Sequence, residues 1–178
     1  MDFTQNYFEL LDLPQQYEID KKRLSEHYRR LQREFHPDRF ANQSSNEQRL
    51  AVQFASYINA AYQCLGSAVL RAEYLLELVG EVVDHQTTTV SDGAFLMLQM
   101  QWRESLTEIT AINDMDAAQD QLEELEETVQ QAMKQSQIDF EQCYVQEDYD
   151  AAKDVIVKLH FIDKMLQDIE NRAASLFD

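Results

Sequence analysis

Residues 20–47 read DKKRLSEHYRRLQREFHPDRFANQSSNE: a basic, helix-patterned run, a single proline, then a polar loop. Asp20 is suited to cap a helix in which Leu24, Tyr28, Leu31 and Phe35 recur at spacings of 4, 3 and 4, marking one buried stripe. Pro37 lacks an N–H, fixes its own φ and pushes His36 out of the α region, so this helix is expected to stop near His36. His36-Pro37-Asp38 is therefore a loop at a helix end. Ser44 and Glu47 then fit a capping box, and Leu50, Phe54, Ile58, Ala61 and Leu65 step by 4, 4, 3 and 4 along a further helix. Two helices with matching stripes and a short loop between them make an antiparallel hairpin.

Working outward, residues 5–12 form a short apolar turn of helix ended by Leu13-Pro14, with Tyr7, Phe8, Leu10 and Leu11 available for packing. After the hairpin, Ser67 caps the segment AVLRAEYLLELVG, which is expected to end at Gly80 through a left-handed residue. From Glu81 to Ser91 the pattern lapses into β-branched and polar residues, read as a linker between a first domain over 1–80 and a second over 92–178. The second domain carries helical stretches at roughly 92–112, 116–146 and 149–176. Leu122, Leu125, Val129, Met133, Ser136, Phe140 and Cys143 form one heptad-like seam, and Val155, Leu159, Ile162, Leu166, Ile169, Ala173 and Leu176 form another. The fold expected is all-α, with an antiparallel three-helix bundle following the hairpin domain. Only three Gly and two Pro among 178 residues agree with that.

Charge is divided unevenly. Residues 1–75 hold nine basic and ten acidic side chains, whereas 76–178 hold six and twenty-three. A second half that acidic repels phosphate backbones and anionic lipid, which argues against nucleic acid and membrane as partners. It suits basic protein surfaces, with plain solubility as the alternative. Within the hairpin the sign reverses locally: residues 21–39 hold seven basic and three acidic side chains. Arg29, Arg30, Arg33 and Arg39 form a basic patch beside the loop, suited to an acidic groove on a partner. The alternative is a solvated helix face.

No run of about 18 apolar residues occurs, and the N-terminus lacks a basic segment followed by an apolar one. Cys64 and Cys143 stand alone inside helical patterns, without metal-ligand spacing, and read as buried or bystander thiols. His36 and Asp38 are a conceivable general-base pair, but no Gly-rich loop, nucleophile elbow or cluster of metal ligands accompanies them. Residues two apart around a proline are also not expected to face each other. No catalytic residue is assigned.

Tyr28-Arg29-Arg30-Leu31, His36-Pro37-Asp38-Arg39 and Ile58-Asn59-Ala60-Ala61-Tyr62 together resemble the J-domain of DnaJ-class co-chaperones. Arg71 to Leu76, Phe95-Leu96-Met97 through Glu104, and Lys158 to Lys164 resemble the HscB branch of that class, which joins a J-domain to a C-terminal helical bundle. The likeness spans nearly the whole chain. It implies a co-chaperone that catalyses no reaction itself, stimulates the ATPase of the DnaK-class chaperone HscA, and presents to it the iron–sulfur scaffold protein IscU. By the same likeness Tyr28, Arg29, Arg30, His36, Pro37, Asp38 and Arg39 face the chaperone. Ser25, Glu26 and Glu34 depart from the basic residues common in J-domains, which narrows the charged footprint. A J-protein serving a different client through its acidic bundle is the rival reading.

In the first bundle helix Phe95, Leu98, Trp102, Leu106 and Ile109 share one face, while Leu96, Met97 and Met100, continued by Glu104 and Glu108, lie on roughly the opposite side. Such a helix either offers its second face to a partner or has that face covered, for example by residues 68–79. The resemblance favours a partner: Leu96, Met97, Met100, Glu104, Glu108 and Phe161 match scaffold-contacting positions, with Gln101 departing from a commonly acidic one. Eukaryotic relatives carry an additional cysteine-rich N-terminal metal site. This chain begins at the J-domain, so no metal, no cofactor and a bacterial-type cytoplasmic protein are expected.

Overall fold

The computed structural model describes residues 2–83 and 92–175, and every regular element among them is helical. Contacts divide the chain into two units, Met1–Gly80 and Glu81–Asp178. Most of the stretch read as a linker, residues 84–91, lies outside the described residues, as does Leu176 of the last seam.

The first unit opens with α1 (Tyr7–Leu10), capped by Asn6, whose side chain accepts from the Glu9 N–H while the Glu9 carboxylate accepts from the Asn6 N–H. One turn of helix has little stability alone. It persists because Phe8, Leu10 and Leu11 are buried. The Tyr7 N–H also donates to the Tyr74 hydroxyl at 3.0 Å, and His27 Nδ1 lies 2.6 Å from the Leu11 carbonyl oxygen. His27 thus ties the end of α1 to the next helix.

α2 (Lys21–Glu34) begins at Asp20, which accepts from the N–H groups of Lys22 and Arg23, and ends two residues before His36. α3 (Ser45–Gly66) starts in the expected capping box of Ser44 and Glu47. Phe54, Ile58, Ala61 and Leu65 are buried along it, each large apolar side chain contributing about 1.5–3 kcal/mol. α4 (Ala68–Leu78) starts at Ser67, and the chain leaves it through Gly80 at φ +85°. Arg71 of α4 is buried, with its guanidinium 4.9 Å above the Tyr17 ring. It donates to the carbonyls of Tyr17 and Leu65, satisfying an end of α3 that would otherwise be left unpaired. Burial pushes the Arg71 pKa down.

The second unit holds α5 (Gly93–Thr110), α6 (Met115–Val145) and α7 (Tyr149–Ser175). α6 and α7 are joined by a tight turn in which Glu147 adopts φ +59°, and they make the most extensive helix pairing in the molecule. The α6 seam is as expected from Leu122 to Phe140, with Cys143 only half-buried. The α7 seam is rotated from its expected phase. Ala152, Ile156, Leu159, Ile162, Met165 and Ile169 are buried, while Val155, Leu166 and Ala173 are half-buried. A strict 3.5-residue repeat drifts against a helix of 3.6 residues per turn, and α7 meets two neighbours rather than one. In α5 the buried residues are Phe95, Gln99, Trp102 and Ile109, whereas Leu98 and Leu106 are half-buried.

Candidate functional site

Two surfaces carry the residues singled out by sequence. The first is the end of α2. His36 caps a short 3-10 helix over Pro37–Phe40, so the expected loop is a tight turn: the Arg39 N–H donates to the His36 carbonyl at 3.0 Å and the Ala41 N–H to the Asp38 carbonyl at 3.3 Å. Proline suits this place because its missing N–H is one the turn does not use.

Contrary to expectation, His36 and Asp38 do face one another, with His36 Nδ1 3.5 Å from Asp38 Oδ2. The proline is what permits this, since the turn it starts folds Asp38 back over the ring. The same Nδ1 accepts from the Asp38 N–H at 3.3 Å. The side chains of His36 and Asp38 are 53% and 91% exposed, so the pair stands open to solvent. That is the geometry of a contact point rather than of a general base.

The basic patch surrounds this turn. Arg33 Nε donates to the Arg29 carbonyl and Arg39 donates to the Arg33 carbonyl, both at 3.2 Å, so the Arg39 guanidinium caps an end carbonyl of α2 at its negative end while Arg33 lies back along the last turns. Arg29, Arg30, Arg33 and Arg39 are exposed, and Pro37 is half-buried. Tyr28 is half-buried and stacks on Tyr62 of α3, ring centroids 4.0 Å apart. Its hydroxyl donates to Asn59 Oδ1 at 3.1 Å, an oxygen that also accepts from Gln32. A concavity of about 610 Å³ is lined by Glu26, Tyr28, Arg29, Gln32 and Arg33. Gln32 was not singled out by sequence, and Asn59 and Tyr62 entered only as part of the Ile58–Tyr62 motif, without the contact to Tyr28 that they make.

The second surface is on α5. Leu96, Met97 and Met100 are 43%, 65% and 71% exposed, and Glu104 and Glu108 are exposed beyond them. Phe161 of α7 joins them edge-on to Phe95, with centroids 6.3 Å apart, and is half-buried as its offset phase requires. Arg103 lies 5.0 Å above the Phe161 ring, a cationic lid on an otherwise acidic face that sequence reasoning missed. Asp92 fixes the start of this helix, accepting from the N–H groups of Ala94 and Phe95 and from Lys158 Nζ at 2.7 Å. The Lys158 hydrogen bond and those backbone donors hold the Asp92 carboxyl below its usual pKa. α5 is thus pinned to α7 at the level of the exposed methionines.

Both units have counterparts in known proteins. A family model described as DnaJ domain matches residues 6–74, and one described as HSCB C-terminal oligomerisation domain matches residues 91–170. A co-chaperone protein HscB homolog of Shewanella loihica is 42% identical, covering 97% of this chain and 99% of the relative. The chain belongs to the HscB family of J-domain co-chaperones.

Another HscB homolog, from Aeromonas hydrophila, is 40% identical over the same share of each chain. The solved structure of chaperone HscB from Vibrio cholerae superposes with a TM-score of 0.83 at 39% identity, covering 96% of this chain and 99% of that one. Human co-chaperone HscB gives 0.85 at 28% identity, covering 97% and 84%. The all-α fold with a J-domain followed by an HscB-type helical domain is therefore established, and the chain is a co-chaperone rather than an enzyme. J-domain proteins act with chaperones of the Hsp70 class. Among the described residues no helix is long and apolar enough to cross a membrane.

Proposed function

We propose that this HscB-family protein delivers an iron–sulfur scaffold of the IscU kind to an Hsp70-class chaperone of the HscA kind in the cytoplasm, and stimulates that chaperone's ATPase. The observation that carries the reading is the presence in one chain of two unlike surfaces, each open on its own unit. One is the pinned His36-Pro37-Asp38 turn with Arg29, Arg30, Arg33 and Arg39 around it. The other is the exposed Leu96, Met97 and Met100 with Glu104, Glu108 and Phe161. Arginines set at a helix end steer an acidic partner into place and set its encounter rate, so the chaperone contact weakens with salt. Exposed methionines rimmed by carboxylates adapt to an apolar patch on a basic partner.

Steady-state ATP hydrolysis by HscA, measured with this protein and with or without IscU, tests the proposal. The expected result is stimulation by the protein alone and a further increase when IscU is added. Absence of stimulation removes the chaperone assignment, and an IscU that adds nothing removes the client assignment in favour of another client for the acidic bundle.

A further inference from the structure

The apolar patch on α5 continues into a groove that none of the residues assigned above explains. A hollow of about 440 Å³ lies beside Met97, and a second, of about 510 Å³, lies between α5 and α6; Leu98 and Gln101 line both. The second is bounded by one stripe from each helix. Leu98, Trp102, Ser105 and Ile109 come from α5, and Gln121, Leu125 and Thr128 from α6. Ser105 and Thr128 are small at positions where longer apolar side chains would close the seam, so the hollow reaches down to the nearly buried Trp102 and Leu125. The walls are acidic, formed by Glu108 of α5 and Glu124 of α6. No Lys or Arg lines the groove, and among the described residues neither glutamate makes an ion pair.

We infer that the client surface extends from the Met97 patch into this α5/α6 groove, where it takes a basic amphipathic segment of the scaffold protein, seating an apolar side chain over Trp102 between Glu108 and Glu124. The inference rests on the scaffold reading proposed above and adds α6 to the contact. Continuity through Leu98 and Gln101 supplies the path. Two carboxylates without an ion pair, one from each helix lining the same hollow, supply the complementarity, since a cation placed in it meets attraction from both. Only one of these walls, Glu108, belongs to the patch on α5. Glu124 is reached only by a partner that enters the groove.

The test is the affinity of purified IscU for the full chain, measured by calorimetry at two salt concentrations. Glu124→Lys should weaken binding about tenfold and flatten its salt dependence, as loss of a contact at the edge of a hot spot does. Glu127→Lys makes the same charge change on an exposed residue of α6 outside the groove, and should leave affinity nearly unchanged. Ser105→Leu with Thr128→Leu fills the groove and should raise the unfolding temperature while weakening IscU. Equal effects of Glu124→Lys and Glu127→Lys, or none from Glu124→Lys and the filled variant while Met97→Ala weakens binding, would overturn the groove and leave the patch standing. Failure of the unaltered protein to bind IscU would overturn the scaffold reading and the groove together.

Discussion

The turn after α2 and the patch on α5 solve opposite problems. At the turn the backbone is tied down: Nδ1 of His36, the N–H of Asp38 and the carbonyls of Arg29 and Arg33 all have partners within the same unit. At the patch Met97 and Met100 stand out into solvent with more than half their surface bare. The first is a rigid, polar feature whose shape is settled before any partner arrives. The second is apolar and pliable, and it gains its shape from what it meets. A change at the turn should therefore act on what the partner does, and a change at the patch on how tightly a partner is held.

The largest expected effect comes from Asp38→Asn. The Asp38 side chain is almost wholly exposed and supports little of the fold, so helicity and scaffold affinity should persist while ATPase stimulation falls to the chaperone's basal rate. Loss of helicity in circular dichroism would make Asp38 a structural residue and dissolve the contrast. Next in size, Met97→Ala with Met100→Ala should cost about 2–4 kcal/mol of scaffold binding, read by calorimetry. It should leave scaffold-independent stimulation intact.

Arg71→Met probes the frame beneath the turn. It leaves the Leu65 and Tyr17 carbonyls without their donor and should destabilise the first unit by about 1–3 kcal/mol. Thermal unfolding should split into two transitions, with the one belonging to α5–α7 unmoved. A single shifted transition would mean that the two units unfold together.

The smallest effect is a pH response at the patch. Asp92 has its pKa depressed in the folded protein by the Lys158 hydrogen bond and the α5 N–H groups. Its contribution is present above the unfolded carboxylate pKa and is lost as pH falls through the lower, folded one. Amide exchange at Ala94 and Phe95 should accordingly quicken relative to Gly66 only in the acid range below that of an ordinary aspartate. Asp92→Asn should reproduce the quickening at neutral pH.

Much of this was legible in the chain. Asp20, Ser44 and Ser67 announced their helices because a cap is a local event, set by one side chain and the next three N–H groups. Phase alone put Leu96, Met97 and Met100 opposite the buried seam of α5 and left open whether residues 68–79 cover them; the family resemblance decided for exposure. What periodicity did not yield depended on the third neighbour. The rotation of the α7 seam toward Ile156 and Met165, and the burial of Gln99, arise where a helix packs on two others at once. The facing of His36 and Asp38 was missed for a different reason, because it is created by the 3-10 turn and not by sequence spacing. The α5/α6 groove has no sequence signal at all. It exists because Ser105 and Thr128, 23 positions apart in the chain, are brought opposite each other.

The central claim is that the two surfaces are separate devices on one chain. One crossed measurement tests it most directly: HscA ATPase rates, with and without IscU, for the unaltered protein, Asp38→Asn, and Met97→Ala with Met100→Ala. The account predicts that Asp38→Asn abolishes both the basal and the scaffold-dependent stimulation, while the methionine variant retains the former and loses only the latter. If the methionine variant also loses its scaffold-independent stimulation while remaining folded, or Asp38→Asn retains either, the division of labour is contradicted.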